Sequence, residues 1–315
     1  MNSANTSASV ALPLVSILLP THNRPDYAEL ALQSALAQRY TNIEIIVNDN
    51  SDDLLTQARF APHMARDERI KYAYTPGCGQ LENFHRCLER AQGEYINYLM
   101  DDDLFHPDKI YRMMSVMLAN SSVGMVTSFR QLIDAHGAPI AQIPGTERCF
   151  ENDTVIHAQS LGNNILSTGN NMVGEPTTVL FRRVDIDGSF GMFAGQQYTV
   201  LSDVATWLSV LRHKNCIYLA DTLSYFRIHG GQDQSNNGIK IKSNIDWLEL
   251  FTDACHLGYF QMDSPAGLEL LSAKLVTTIL FLTSKRQEIS NGSFDVTRML
   301  NVTQRAIALL LHKRT

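Results

Sequence analysis

The chain has 315 residues, of which 44% are hydrophobic and 18% charged, so it can bury one substantial core and is not disordered as a whole. Its formal net charge of −6 gives no surplus of positive charge to bind a phosphate backbone, which argues against general nucleic-acid binding. The five cysteines form no Cys-x-x-Cys pair, so neither a disulfide framework nor a zinc site is predicted, and a reducing compartment is favoured.

The first hundred residues alternate between strand and helix patterns. Residues 1–12 predict a flexible tail, and residues 14–19 form a short apolar run that is typical of a strand buried on both faces of a parallel sheet. A helix pattern follows at 27–36, a second strand at 43–47, a helix at 80–91 closed by a left-handed glycine at Gly93, and a strand at 95–100. Such repetition predicts a parallel sheet whose ligands bind at the carboxyl ends of the strands.

The rest of the chain is predicted to complete this domain and then to become helical. Strands are expected at 123–129 and 177–181, separated by a long Gly- and Asn-rich stretch, and a helix at 203–211 and a strand at 217–219 precede a polar loop at 229–237. From about residue 245 apolar residues recur at helical intervals, with breaks at 264–265 and 291–292. The predicted organisation is therefore a tail over 1–12, an α/β domain over 13–238 and a C-terminal helical extension over 239–315.

Three adjacent carboxylates, Asp101, Asp102 and Asp103, follow the strand predicted at 95–100. They repel one another, and a hard divalent cation or solvent relieves that repulsion most easily. A cation that bridges a diphosphate needs only one or two carboxylates from the protein. The alternative is a solvated acidic turn that caps the following helix through Asp103 or Asp108.

Three motifs together resemble glycosyltransferase family 2: VSILLPTHNR at 15–24, IEIIVNDNS at 43–51, and GEYI at 93–96 with DDD at 101–103 and PDK at 107–109. The resemblance implies a GT-A fold, which is a Rossmann-like mixed, mostly parallel α/β sheet flanked by helices, here with the helical extension. It also implies an inverting transfer of a sugar from a nucleoside-diphosphate donor, with UDP favoured, to a hydroxyl of a glycan or related acceptor.

The resemblance also gives roles to matching residues. It implies that Pro20, Thr21, His22 and Asn23 line the nucleotide, that Asp49 accepts a hydrogen bond from the base, that Asp101 lies near the ribose, and that Asp102 ligates Mn²⁺ or Mg²⁺. Two departures are Asn48, where the family usually has an acid, and Met100, at the first acid of the common Asp-x-Asp form. Because Asp101 and Asp102 keep the family's distance to Pro107, the metal is assigned to Asp102, with Asp103 as support.

The second half resembles the family more loosely. The stretch GEPTTVLFRR at 174–183 is similar to an acceptor-side strand, and Asp203 stands where the family carries an acid at a helix start, although Ser202 replaces the usual Glu. Asp203 is the candidate general base, and a plain helix N-cap is the alternative. His229 matches a family histidine that reaches the metal or diphosphate, and a surface histidine is the alternative.

The predicted function is that of a metal-dependent glycosyltransferase in bacterial surface polysaccharide synthesis. A nucleotidyltransferase is an alternative, but residues 20–25 contain none of the glycines expected in a triphosphate loop. A non-catalytic nucleotide-sugar-binding module is another, and the presence of both Asp102 and Asp203 argues against it.

The expected location is the cytoplasm, since the longest apolar run, 275–282, is too short to span a membrane. The C-terminal helices carry Lys285, Arg286 and the basic residues 312–314 beside the apolar stretch 306–311. This pattern favours core packing or a homodimer interface, and peripheral contact with the inner face of a membrane, where lipid-linked acceptors reside, is the alternative.

Overall fold

The computed structural model describes residues 12–230, 237–290 and 296–312. The strands are β1 (Val15–Thr21), β2 (Ile43–Asp49), β3 (Ile70–Tyr74), β4 (Tyr95–Tyr98), β5 (Leu104–Phe105), β6 (Val123–Ile133), β7 (Thr154–Ile156), β8 (Leu180–Arg182), β9 (Met192–Phe193), β10 (Gln196–Gln197) and β11 (Asn215–Arg227).

The helices are α1 (Pro25–Leu36), α2 (Leu55–Met64), α3 (Gln80–Arg90), α4 (Lys109–Ala119), α5 (Ala158–Thr168), α6 (Ser202–Leu211), α7 (Asn237–Leu257), α8 (Pro265–Ser284), the single turn α9 (Arg286–Glu288) and α10 (Val296–His312).

A central sheet of nine strands organises the chain, in the order β3-β2-β1-β4-β8-β6-β11-β5, with β7 paired to β11. Strands β1 to β4 are parallel to their neighbours among themselves, β8 runs antiparallel to both β4 and β6, and β6 pairs with β11 in parallel. Helices flank this sheet, and further helices follow it at the C-terminus. The predicted fold class, a mixed Rossmann-like α/β sheet with a helical extension, is confirmed.

Strand β1 shows why the apolar run at its start predicts a doubly covered strand. All seven of its residues are buried. Alternate side chains enter opposite cores: Val15, Ile17 and Leu19 pack in one hydrophobic cluster and Leu18 in the other. A strand that is apolar on both faces therefore needs a layer on each side of the sheet, as observed.

Gly93 does not close a helix in the left-handed conformation, so that prediction is wrong. Helix α3 ends at Arg90, with Ala91 in extended backbone as its C-cap. Glycine is required at position 93 for a different reason, because a Cβ there would lie 2.6 Å from Ser16 Oγ and 2.7 Å from Ser16 N. The chain passes too close to β1 for any side chain.

Several elements differ from the sequence-based expectation. The strand predicted at 177–181 begins only at Leu180, because Pro176–Thr178 forms a 3₁₀ turn in which Thr178 Oγ1 donates to Glu175 O at 2.7 Å. Strands β3, β5, β7, β9 and β10 and helices α2 and α5 have no counterpart among the predicted elements, whereas α4 is the helix that the acidic-turn alternative places after Asp108. The break at 291–292, the residues 232–235 of the polar loop, the tail residues 1–11 and the basic residues 313–314 lie outside the described residues.

The C-terminal helices share a hydrophobic core with one face of the sheet. Trp207 of α6, Leu248 of α7, Leu271 of α8 and Val302 of α10 belong to the same buried cluster. The predicted break before α8 is confirmed: Ser264 caps the helix, its Oγ accepting from Gly267 N at 3.2 Å. These contacts tie the extension to the domain that precedes it.

Helices α8 and α10 also present an apolar outer surface. Among the helices that the structure describes, α8 is the one whose length and composition suffice to cross a membrane, and 22% of its apolar window is buried against the rest of the chain. Leu280 of α8 and Leu311 of α10 are each 65% exposed. A long apolar helix is also what a soluble protein's core contains, so this feature alone is weak support for a membrane span.

Candidate active site

A cleft of about 330 Å³ opens where β1, β2 and β4 end. The carboxyl ends of neighbouring parallel strands are the usual ligand site of such a sheet. Its walls are Pro20, Thr21, His22, Arg24, Asn50, Cys78, Gln80, Asn83, Phe84, Met100 and Asp101. Four residues with predicted nucleotide roles therefore line one cleft: Pro20, Thr21, His22 and Asp101.

Asp101 is held at the floor of this cleft by the end of β1. Its Oδ2 accepts from Thr21 Oγ1 at 3.0 Å and from His22 N at 3.2 Å, and its Oδ1 accepts from Arg24 Nη1 at 3.1 Å. Burial, reinforced by the neighbouring charge of Asp102, raises the pKa of Asp101 to about 6. A carboxylate in this setting can accept a hydrogen bond from a hydroxyl of a bound ligand.

Asp102 and His229, the two predicted metal ligands, meet in the structure. His229 Nε2 lies 3.0 Å from Asp102 Oδ2, and each side chain is 10% exposed. The same Asp102 oxygen accepts from Arg24 Nη1 at 3.0 Å. A carboxylate oxygen therefore faces an imidazole nitrogen and a guanidinium at the edge of the cleft.

This pair fits the donor set that Mn²⁺ or Mg²⁺ takes beside a diphosphate. Carboxylate and neutral imidazole both suit manganese, and magnesium keeps most of its positions for phosphate oxygens and water. Within residues 12–230, 237–290 and 296–312, no three His, Cys, Asp or Glu side chains converge as a complete metal cage. A cation held by Asp102 and His229 would thus need its remaining ligands from the donor and solvent.

Asp103 points into the protein instead. It is fully buried, with Oδ2 accepting from Thr177 Oγ1 at 2.6 Å and Oδ1 accepting from Arg227 N at 3.0 Å. Burial and the adjacent Asp102 charge raise the pKa of Asp103 well above its ordinary value. These contacts anchor the acidic turn at 101–103 to β11 and to the 3₁₀ turn that contains Thr177.

Arg227 and Tyr27, which have no predicted role, contact Asp102 and His229. Arg227 Nε donates to Asp102 O at 2.7 Å, and Nη1 donates to Asp134 O at 3.0 Å. The guanidinium carbon lies 4.8 Å from the centre of the Tyr27 ring, whose centre lies 5.1 Å from that of His229. The sequence signal for this role of Arg227 is a charged residue that directly follows two aromatic residues, Tyr225 and Phe226, at the end of a strand.

Asp49 lies behind the wall of the cleft. It is fully buried, and its two carboxylate oxygens accept from Tyr72 Oη at 2.5 Å and from Ser51 N at 2.9 Å. Its predicted contact with the base stays a prediction. Three residues with side-chain amides do line the cleft, Asn50, Gln80 and Asn83, and a hydrogen bond of 2.7 Å from Asn83 Nδ2 to Asn50 Oδ1 joins two of them.

Asn23 also lies outside the lining of the cleft. It has a left-handed φ of 53°, and its Nδ2 donates to Asp52 Oδ2 at 2.7 Å. Its backbone N donates to Ser51 Oγ at 2.8 Å, so it ties the end of β1 to the end of β2. These contacts shape the loop beside the cleft.

Asp203 occupies the first turn of α6. The N-cap of this helix is Leu201, so Asp203 is not the N-cap residue, although its Oδ1 accepts from Val204 N at 2.8 Å. Its Oδ2 accepts from Asn171 Nδ2 at 2.9 Å. Burial raises the pKa of Asp203 to about 6, with the charge of Glu175 adding to the shift.

The turn at 174–178 connects the neighbourhoods of Asp103 and Asp203. Thr177 binds Asp103, and Gly174 O accepts both from Asn171 Nδ2 at 3.0 Å and from Trp207 Nε1 at 3.1 Å. Glu175 is paired with Arg130, whose Nε lies 2.6 Å from Glu175 Oε2. Neither Asn171 nor Glu175 was predicted as a site residue, because their proximity to Asp203 arises only from the folding of this turn.

A second groove, of about 510 Å³, shares two walls with the cleft, Gln80 and Phe84. It continues past Thr199, Val200 and Ser202 and is bounded by the start of α7. The groove therefore leads from the cleft to the N-terminus of α6, where Asp203 lies.

The chain is similar in sequence to known glycosyltransferases. Residues 16–183, just over half of the chain, match the family model described as glycosyl transferase family 2. The chain is 29% identical to an uncharacterized glycosyltransferase of Rickettsia typhi over 226 residues, which are 70% of this chain and 65% of that protein. It is 27% identical to the putative teichuronic acid biosynthesis glycosyltransferase TuaG of Bacillus subtilis over 226 residues, which are 71% of this chain and 82% of TuaG.

The match to several relatives covers only part of their length. The chain spans just under two thirds of the Rickettsia typhi protein and about a fifth of three other rickettsial glycosyltransferases. In structure it resembles residues 1–349 of S. aureus TarS in complex with UDP-GlcNAc, with a TM-score of 0.60, 16% sequence identity, and coverage of 94% of this chain and 81% of that one. At that identity, the likeness concerns the fold.

Proposed function

The chain belongs to glycosyltransferase family 2, and from this membership we propose that it transfers a sugar from a nucleoside-diphosphate donor to a hydroxyl of a glycan or related acceptor, with inversion at the anomeric carbon. One observation carries the proposal. Asp101 and Asp102, after β4, meet Thr21 at the end of β1, and His22 and Arg24 just after it, at a cleft on the carboxyl edge of a GT-A-like sheet. This edge is where a nucleotide binds in doubly wound sheets.

The donor nucleotide is proposed to occupy the cleft. Asp101 would accept from the ribose, and Arg24, whose side chain is 32% exposed, brings a cation to the edge where a diphosphate would lie. Pro20, Thr21, His22 and Asn23 are proposed to line the nucleotide, and Asp49 is proposed to accept a hydrogen bond from its base. UDP-GlcNAc is the ligand named for the TarS complex, so UDP-sugars are the first donors to test.

We further propose that Asp102 and His229 hold Mn²⁺ or Mg²⁺. Such a cation, when bound, stabilises the negative charge that develops on the leaving diphosphate. The protein's own contribution is to orient the pair, through Arg227 on the Asp102 carbonyl and through the Tyr27 ring against His229. Arg24 adds a fixed positive charge beside both carboxylates.

Asp203 is proposed as the general base. Direct displacement requires a group opposite the leaving diphosphate that takes the proton of the acceptor hydroxyl. The pKa of Asp203, raised to about 6, leaves it ionised at neutral pH and still a better base than an ordinary aspartate. The groove that ends at Ser202 is a path by which an acceptor would reach it.

The biological role is proposed to be bacterial surface polysaccharide synthesis, in the cytoplasm or at the inner face of the membrane. The similarity to TuaG, whose name places it in teichuronic acid biosynthesis, supports this choice. Residues 13–238 are proposed as the catalytic domain and 239–315 as the extension. The apolar surface of α8 and α10 is where a contact with a lipid-linked acceptor's membrane would occur.

The test is to incubate the full chain with a panel of nucleotide sugars and to measure released nucleoside diphosphate, with Mn²⁺ and with a chelator. We expect slow metal-dependent hydrolysis of one donor, accelerated by the correct acceptor. The Asp102→Ala variant is the control, since it removes the proposed metal ligand.

Two results would replace the proposal with a different function. Release of pyrophosphate from a nucleoside triphosphate and a sugar phosphate would identify a nucleotidyltransferase. Saturable binding of a nucleotide sugar with no release of diphosphate, in the presence of metal and a broad set of acceptors, would identify a binding module.

A further inference from the structure

A short segment, residues 198–201, leads directly into α6 and Asp203, and helix α7 holds it at both ends. Tyr198 Oη donates to Asp253 Oδ2 at 2.7 Å. The backbone N–H groups of Val200 and Leu201 both donate to Asp246 Oδ2, at 3.2 Å and 3.1 Å. Because Leu201 is the N-cap of α6, a carboxylate from another helix fixes the start of the helix that carries the proposed base.

Three acids of α7 face this segment and the C-terminal helix together. Asp246, Glu249 and Asp253 follow one another at spacings of three and four residues, which puts them on one face of a helix. Their exposed fractions are 0%, 7% and 3%. Three carboxylates buried this close repel one another and need compensating cations.

Two arginines of α10 provide that compensation. Arg298 Nη2 lies 2.7 Å from Asp246 Oδ1, and Arg298 Nε donates to Glu249 Oε2 at 2.9 Å. Arg305 lies 3.4 Å from Glu249 Oε1 and also pairs with Asp253. We call these five residues, Asp246, Glu249, Asp253, Arg298 and Arg305, the α7–α10 clamp.

We infer that the α7–α10 clamp positions Asp203 for proton transfer, with Asp246 and Arg298 as its positioning residues. This inference rests on the proposed role of Asp203. The clamp touches the main chain two residues before Asp203, while Asn171 and Val204 N hold the carboxylate itself. Asp203 is thus fixed both at its side chain and at the backbone that leads to it.

The physical reason is that a base must stand within hydrogen-bond reach of the proton it removes. A displacement of about 1 Å at a remote support can lower a rate by about 100-fold. Without Arg298, Asp246 would be a fully buried charge lacking this cation, and it would be driven to move toward solvent. That movement would weaken its hold on Val200 and Leu201.

Two variants of Asp246 separate positioning from simple packing. Asp246→Ala removes the acceptor of both backbone N–H groups, whereas Asp246→Asn retains a carbonyl oxygen that can accept from them. We expect Asp246→Ala to lower kcat by about 10- to 100-fold with donor KM changed less than about threefold, and Asp246→Asn to recover most of kcat. Leu271→Ala, a fully buried residue of α8 remote from residues 198–201 in sequence, is the control for lost stability alone.

Amide hydrogen exchange gives a readout that does not depend on turnover. Asp246→Ala should accelerate exchange at Val200 and Leu201 selectively. Leu271→Ala, compared under conditions in which the two variants are equally stable, should not. An unchanged kcat in Asp246→Ala, or an equal loss in Asp246→Ala and Leu271→Ala, overturns the inference. If the wild-type chain turns over no donor, the proposed function fails. Exchange at Val200 and Leu201 that is as slow in Asp246→Ala as in wild type would separately refute the positioning role of the α7–α10 clamp.

Discussion

His229 Nε2 lies 3.0 Å from Asp102 Oδ2, although 127 residues separate the two in sequence. Strand β11 makes this contact possible, because it runs parallel to β6 and delivers the chain after Arg227 to the carboxyl edge of the sheet. Arg227 then fixes both its own strand end and the Asp102 carbonyl. The pair is therefore positioned by β11 and not by the loop alone.

Removal of one member of this pair should abolish activity without unfolding the chain. Asp102→Ala eliminates the oxygen that faces both His229 and Arg24, while it also relieves the repulsion that Asp102 exerts on Asp101 and Asp103. We expect no measurable transfer and a melting temperature within a few degrees of wild type. Asp221→Ala, at an exposed acid paired with Arg112, is the matched control and should retain full activity.

Donor binding should depend on a divalent cation. A diphosphate approaching Asp101 and Asp102 meets two carboxylates that share one guanidinium, that of Arg24. We expect the Kd for UDP to increase at least about tenfold when a chelator replaces Mn²⁺, measured by calorimetry. Equal affinity in both conditions would exclude a metal from donor binding.

The sequence predicted the elements that depend on local pattern and missed those that depend on long-range packing. The apolar run of β1 and the acidic turn after β4 could be located because burial and charge leave a direct mark on the residues themselves. Arg227 could not be assigned to Asp102, since a contact across 125 positions depends on where β11 docks. The pairing of His229 with Asp102 was predicted only through resemblance to the family.

The surroundings of Asp203 also depend on long-range contacts that the sequence does not reveal. Asp203 was found by its place at a helix start, but Asn171, which donates to it, lies in a stretch predicted only as loops. Gly93 is predicted to end a helix, but its place in the structure depends on its close approach to Ser16. A glycine that permits a close approach to Ser16 cannot be distinguished, in sequence, from one that ends a helix.

Thr177→Val should destabilise the fold. Its hydroxyl donates to the buried carboxylate of Asp103 at 2.6 Å and accepts from Met100 N at 3.1 Å, and valine keeps the shape while losing both bonds. We expect a loss of about 1–3 kcal/mol in the free energy of unfolding, measured by denaturant titration. Thr283→Val is the control, because that hydroxyl is exposed on α8 and bonds only within its own helix turn, to Ile279 O.

The pH dependence of turnover should report Asp203. Its pKa is raised to about 6, and a general base acts in its ionised form, so kcat should rise about tenfold per pH unit below 6 and level off above it. The measurement is kcat at saturating donor and acceptor from pH 5 to 8. A profile without a break near 6 would argue against this carboxylate as the base.

Stability should depend on the same group with the opposite sign. Because the folded-state pKa of Asp203 is above that of an unfolded aspartate, the folded state binds more protons between about pH 4 and pH 6. The stabilising contribution is present below pH 4 and is lost as the pH rises through 6. Asp203→Asn, which carries no charge to bury, should therefore be more stable than wild type at pH 7, by at most about 3 kcal/mol, because asparagine keeps only one of the two hydrogen bonds that Asp203 accepts.

Asp203→Asn should lose catalytic activity while it gains stability. Asp203→Asn can still accept from Asn171 or Val204 N, but it cannot take the proton of an acceptor hydroxyl at neutral pH. If Asp203 is the base, kcat should fall by about 10²- to 10⁴-fold while the Kd for donor and metal stays near wild type. If Asp203 serves only the first turn of α6, asparagine replaces it with little loss and kcat should barely change. Measuring kcat, donor Kd and the free energy of unfolding on one preparation separates the two roles, because only a base predicts a more stable protein that binds its donor and does not turn it over.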